Sequence, residues 1–163
     1  MRDPMKSIRA QWQLCCPELN TSSMEIAGRI LLASSLLQTR LEPVFKRYGV
    51  SSGGFDVLAT LRRQGAPFEL SPTILYKELL ITSGTMTHRL DTLEKRGLIE
   101  RITHPSDRRG LLVRLTKKGL SITDRLLAEH LENERKLFAS INAKDTKALT
   151  RILGNWIESL DED

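Results

Sequence analysis

Hydrophobic residues along the chain fall into a helical rhythm that breaks only once. Ile30, Ala33, Leu37, Leu41, Val44 and Tyr48 recur in steps of three and four. Such spacing lays one apolar stripe along a helix predicted over about 22–48, despite Pro43. Gly49 stands where a left-handed cap would close it. Ser51 and Ser52 offer an N-cap to a second helix, which Phe55, Leu58 and Leu61 carry to about Arg63. Gln64-Gly65-Ala66-Pro67 is a break. Ser71-Pro72 then sets a capping hydroxyl before a proline at the first helical position, which predicts a short helix through Leu80. Thr82-Ser83-Gly84 reads as punctuation, and Thr85 to Arg96 as a fourth helix with Met86, Leu90 and Leu93 inward. Gly97 stops it.

The period then changes. Leu98–Thr103 and Leu111–Thr116 are short strand-like runs around the turn-rich segment 104–110, which carries Arg108 and Arg109. This is a hairpin with a basic tip. Thr116 caps another long helix bearing Leu120, Leu127, Leu131, Phe138 and Ile141. After Asn142–Asp145, the residues Leu149, Ile152, Leu153, Trp156, Ile157 and Leu160 make a final amphipathic helix. The stretch from Met5 to Cys15 is only weakly patterned and counts as an arm.

Two short helices across a tight turn, followed by a hairpin, are the arrangement of a winged helix-turn-helix. The predicted fold is mainly α with a small β-hairpin wing and long N- and C-terminal dimerisation helices. Its expected parts are an arm and first dimerisation helix over 1–48, a DNA-binding domain over 51–116 and C-terminal dimerisation helices over 117–163. The end helices carry apolar stripes too wide for the central module to cover, so two chains are expected to pair symmetrically. Pairing would set two reading helices about one DNA turn, or a multiple, apart.

Charge sharpens this picture. The chain of 163 residues carries +5 in all. Residues 81–119 hold nine Lys/Arg (89, 95, 96, 101, 108, 109, 114, 117 and 118) against four acids (91, 94, 100 and 107), so the whole excess lies in a quarter of the length. An excess so placed points to phosphate contact. With Met86, Leu90 and Leu93 inward, a step of about 100° per residue puts Thr85, His88 and Thr92 on the outer side. Hydroxyls and an imidazole there can meet base edges in a major groove, and Thr87 joins them as a candidate. Ser83 and Thr85, near the helix start, offer backbone N–H groups to a phosphate. Arg108 or Arg109 would lie in the flanking minor groove or on the backbone, with Asp107 pairing one of them to shape the loop.

Other classes fit less well. No run approaches the ~18 apolar residues of a membrane span, and the first eleven residues do not read as a signal peptide, so a cytoplasmic protein is expected. Cys15 and Cys16 are too few and too close for a disulfide framework, and His88, His104 and His130 are scattered. No metal site, cofactor or catalytic set is expected, and the chain is not expected to be an enzyme. A reactive thiol at Cys15 or Cys16 would make it an oxidant sensor, an alternative that stays open.

Asp107-Arg108-Arg109-Gly110, followed by Val113-Arg114-Leu115-Thr116-Lys117-Lys118-Gly119, resembles the wing signature of the MarR family of bacterial regulators. The resemblance runs upstream through Ser83–Ile99 and covers nearly the whole chain. It implies a homodimer on a pseudo-palindromic operator, usually a repressor released by a small anionic or phenolic ligand, with Asp107 bracing Arg109. Trp12, Gly28-Arg29-Ile30 and Phe55–Leu61 are similar to the urate-responsive, PecS-like branch. That likeness implies a ligand site using Trp12, Arg29, Asp56 and Arg89. Arg89 lies off the outward face set by Thr85 and His88, so it can turn back toward the helix that carries Asp56.

Overall fold

The computed structural model describes residues 3–79, 83–104 and 107–161, and leaves the side chains of residues 83, 107–109 and 161 outside that description. The chain divides into two compact units, one ending at Ser52 and one beginning at Gly53.

The first unit is a helix pair, α1 (Met5–Cys15) and α2 (Ser22–Arg47). The weakly patterned arm is therefore a helix. Its periodicity is faint because α1 has no buried residue at all. Gly28 of α2 lets α1 come close, since a Cβ there would run into the Met5 side chain. Charges hold the same face: Arg9 meets Glu25 at 2.7 Å, and Arg29 meets Glu25 at 2.6 Å and Asp3 at 2.9 Å. Pro43 sits inside α2 and removes one backbone donor, yet the helix runs on to bury Val44 and Phe45. Gly49, at φ 61°, closes it, with its N–H donating to the Lys46 carbonyl at 2.9 Å.

The second unit contains α3 (Ser52–Arg63) from its first turn on, β1 (Glu69–Leu70), α4 (Pro72–Glu78), α5 (Ser83–Lys95), β2 (Ile99–His104), β3 (Asp107–Leu115), α6 (Lys117–Leu137) and α7 (Ala143–Asp161). The three strands form one antiparallel sheet in the order β1-β3-β2. Two strands were expected from the alternation; β1 is a third, pairing Glu69 and Leu70 with Arg114 and Val113. The hairpin strands also reach further than the apolar runs, with a register shift at Thr103/His104.

Capping residues set the helix bounds. The Ser71 hydroxyl accepts from Ile74 N–H at 3.3 Å above Pro72. Thr116 caps α6 by accepting from Gly119 N–H at 2.9 Å, and its own hydroxyl donates to the Gly97 carbonyl at 2.8 Å. One threonine thus fastens the end of the hairpin to both the start of α6 and the turn after α5. The α5 helix begins at Ser83, so Ser83 and Gly84 form its first turn rather than a break. Gly97, at φ 67°, ends it, with Leu98 N–H donating to the Leu93 carbonyl at 3.0 Å. The core of the unit comprises Val57, Leu58, Leu61, Leu75, Met86, Leu90, Leu93, Leu98, Ile99, Val113, Leu115 and Leu126.

No helix among the described residues is long and apolar enough to cross a membrane. Nor do the described residues gather three metal-ligating side chains in one place.

Candidate nucleic-acid interface

Helix α5 divides its residues by face. Met86 (1% exposed), Leu90 and Leu93 (2% each) seat it in the core, and Thr85, Thr87, His88 and Thr92 are exposed. The Thr92 hydroxyl donates back to the His88 carbonyl at 2.9 Å, a local bond an exposed helical threonine readily makes. A polar, hydroxyl-bearing face over a buried apolar one is what a helix entering a major groove requires. Ser83 stands in the first turn, where backbone N–H groups lack helical acceptors; its side chain lies outside the described residues. So do those of Asp107, Arg108 and Arg109, although their backbone forms the start of β3.

Several of the cations counted toward phosphate contact are engaged within the fold, Arg89, Arg101, Arg114 and Lys118 among them. Arg114 of β3 meets Glu69 of β1 at 2.7 Å and Glu100 of β2 at 3.8 Å, a charge ladder across all three strands. Arg101 of β2 reaches α5, with Nη2 2.6 Å from Asp91 and Nη1 2.5 Å from Glu94. Its own backbone N–H donates to Glu94 Oε1 at 3.2 Å. The hydrogen bond it donates to Asp91, with the field of Glu94, raises the Arg101 pKa and keeps the guanidinium charged. Lys118 donates to the Arg96 carbonyl at 2.7 Å, just past the end of α5, where a cation favours the helix dipole.

Arg89 turns away from the outer face of α5. Its Nη1 donates to the Gly53 carbonyl at 3.2 Å and stands 3.7 Å from Asp56 Oδ2, both on α3. Asp56 is a half-exposed carboxylate whose pKa is raised. Desolvation is the largest cause, and the opposing pull of Arg89 and His130 does not cancel it. His130 of α6 has its ring 4.8 Å from that of Phe55, and its Nε2 3.2 Å from Glu134.

The first unit holds a cavity of about 200 Å³ between α1 and α2, lined by Met5, Ile8, Trp12 and Met24 together with the charged Arg9 and Glu25. Trp12 lines it; Arg29 does not, being tied to Asp3 and Glu25. Of the four residues expected to bind a ligand, Trp12 and Arg29 thus belong to the first unit, and Asp56 and Arg89 form a pair in the second. Cys15 is exposed and Cys16 half-buried at the end of α1.

Residue typing singled out neither Gly53 nor the bridge made by Arg101. Gly53 has one signal: as a glycine inside a helix it lets another group approach closely, and a Cβ there would come within 2.6 Å of Arg89 Nε. The partners of Arg101 lie seven and ten residues away on another element, so no local pattern marks them.

Comparison with known proteins agrees with this geometry. Residues 50–111 match the model of the MarR family. The transcriptional regulator PecS of Dickeya dadantii is 36% identical over 150 residues, covering 92% of this chain and 90% of that protein. The transcriptional repressor YetL of Bacillus subtilis is 26% identical and covers 87% of this chain and 84% of its own length. Among solved structures, a MarR-family transcriptional regulator from Streptomyces coelicolor in complex with DNA superposes with a TM-score of 0.77 at 26% identity. That match spans 87% of this chain and 89% of that one.

Proposed function

Because the chain belongs to the MarR family, we propose that it works as a homodimeric repressor in the cytoplasm, released from a palindromic operator by a small aromatic or anionic ligand such as urate. It is a DNA-binding transcriptional regulator similar to PecS. The observation that carries the proposal is the outer face of α5, where Thr85, Thr87 and His88 are exposed above the buried Met86 and Leu90. Ser83 and the N–H groups of the first turn would take a phosphate. Arg108 and Arg109 would follow the flanking backbone, with Asp107 bracing Arg109.

Pairing is supported by apolar side chains left open to water. On α7, Leu149, Ile152, Trp156, Ile157 and Leu160 are each more than 40% exposed; Leu131 and Phe138 of α6 and Leu31 of α2 are similarly open. Large apolar side chains left open in such numbers mark surfaces that a partner covers. A second copy would cover these faces and space two α5 helices to match a two-fold operator.

Ligand release is supported by the charge pairs. Arg29 is held by Asp3 and Glu25, and Arg89 by Asp56 and the Gly53 carbonyl. An anion drawn to either arginine competes with those carboxylates, and through Arg89 it would act on the helix that reads DNA. Trp12, on the wall of the apolar cavity, would stack a planar ligand.

A thermal-shift screen of urate, xanthine and salicylate, followed by gel-shift titration with any hit, tests the ligand step. The expected result is a raised melting temperature and loss of the DNA complex at the same ligand concentrations. A compound that stabilises the protein yet leaves the complex intact would defeat release by that compound. If none of the three changes melting or DNA binding, an aromatic-anion effector is wrong.

A further inference from the structure

We propose that Arg101 is a positioning residue that makes the reading helix and the wing hairpin one body, and so sets DNA discrimination without touching DNA. The inference rests on the DNA-binding reading of α5.

Arg101 projects from β2, the first strand of the hairpin, and contacts α5 three times. Its guanidinium takes Asp91 at 2.6 Å and Glu94 at 2.5 Å, and its backbone N–H donates to the same Glu94 at 3.2 Å. Asp91 and Glu94 lie three apart, so they share one side of α5. A planar fork of five donors suits two carboxylates on consecutive turns; a lysine offers a single point charge. The guanidinium side chain is 27% exposed, so its charge is committed to these partners rather than held out to solvent.

This bridge controls an angle. A winged module reads DNA with two parts at once, α5 in the major groove and the hairpin tip beside it. Turning α5 by a few degrees against β2 moves Thr85 and His88 off their base edges while the tip remains seated. Arg89 ties α5 to α3 rather than to the hairpin; further ties run from the turn after α5, where Leu98 N–H reaches Leu93 and Thr116 Oγ1 reaches Gly97. Those hold the C-terminal end of α5. Arg101 acts further back along the helix, at Asp91, and so governs its rotation about that end.

The test compares wild type with Arg101→Met and Arg101→Lys on two duplexes, one recovered by wild type from a random-sequence pool and one of scrambled sequence. Both affinities are measured across a salt series, with the active fraction fixed by stoichiometric titration. Positioning predicts that Arg101→Met binds the selected duplex about tenfold or more weakly and the scrambled duplex within threefold, with the salt slope unchanged. Arg101→Lys should fall between, and it carries the test if the Met variant does not fold. Equal loss on both duplexes, with the slope shallower by about 0.9, would place Arg101 on a phosphate and overturn the proposal. A lowered active fraction with unchanged affinities would reduce Arg101 to a structural brace and overturn it too, as would no change at all. Failure of wild type to distinguish the duplexes would instead remove the reading of α5 on which the inference stands.

Discussion

Gly53→Ala probes the join between α3 and α5 with a single methyl group. An ideal Cβ at Gly53 would stand 2.6 Å from Arg89 Nε and 2.7 Å from Nη2. Normal contact for such atoms is about 3.5–4.0 Å, so the guanidinium has to withdraw by roughly 1 Å. Withdrawal breaks the 3.2 Å bond to the Gly53 carbonyl and loosens the 3.7 Å pair with Asp56. A hydrogen bond from a charged donor is worth about 1.5–3 kcal/mol; this one is long and partly exposed, so about 1 kcal/mol is the fair figure. Against that, alanine is a better helix residue than glycine by about 0.8–1.0 kcal/mol in a helix interior. Gly53 is the second residue of α3, which trims the gain to about 0.5 kcal/mol. Gly53→Ala should therefore destabilise wild type by about 0.5 kcal/mol and stabilise an Arg89→Met background by about the same amount, a coupling of about 1 kcal/mol. Urea unfolding of the four proteins, at one fixed chain concentration because pairing would shift the midpoint, measures this cycle. If Gly53→Ala has the same effect in both backgrounds, Arg89 is not seated on Gly53 and the α3–α5 join is wrong.

Three further outcomes follow from single side chains. Arg109→Ala should weaken operator binding by about tenfold in a gel-shift titration; unchanged affinity would take the wing tip out of DNA contact. Asp56→Asn should raise the melting temperature at pH 7 even though it removes an ion pair, because desolvation lifts the Asp56 carboxyl above its ordinary 3.8 and leaves the ionised form worse off folded than unfolded. That gain is present above the folded-state pKa and vanishes as pH falls below 3.8, where wild-type Asp56 is protonated in both states; a variant that melts lower at pH 7 contradicts it. If the Asp56–Arg89 pair also carries the ligand signal, the same variant will release DNA less readily with any active ligand. Gly119→Ala should abolish folding of the second unit, since its Cβ would lie 2.8 Å from the Leu98 carbonyl carbon, which is backbone and cannot move aside. A cooperative melt near the wild-type temperature would refute that packing.

How much of this was legible in the sequence depended on whether an element buries a face. Helix α2 announces itself because Ile30, Leu37, Leu41 and Val44 must share one side. The α1 helix fully buries no residue, so its short stripe of Met5, Ile8 and Trp12 is a weak signal, and it is held by Met5 over Gly28 and by charges that meet Glu25. Strand β1 is two residues long, too short for any alternation to register; its existence depends on β3, more than forty residues away. Ser83-Gly84 looks like a break by composition, yet it forms a first turn because helix starts accept residues that helix interiors do not. Within the site, the outward Thr85 and His88 follow from helical geometry once Met86 and Leu90 are placed inside. The sequence could count Arg101 and Arg114 only as cations. Their neutralisation by Asp91, Glu94, Glu69 and Glu100 is a tertiary fact, and it lowers the charge available to phosphate below what a count suggests.

The central claim is that two copies of this chain read DNA symmetrically through α5. Sequencing the duplexes that the full-length protein retains from a random-sequence pool tests it directly. The account predicts an enriched inverted repeat whose half-sites are centred about 10 base pairs, or a multiple of that, apart. An enriched site without two-fold symmetry, or retention with no enriched sequence, would contradict it.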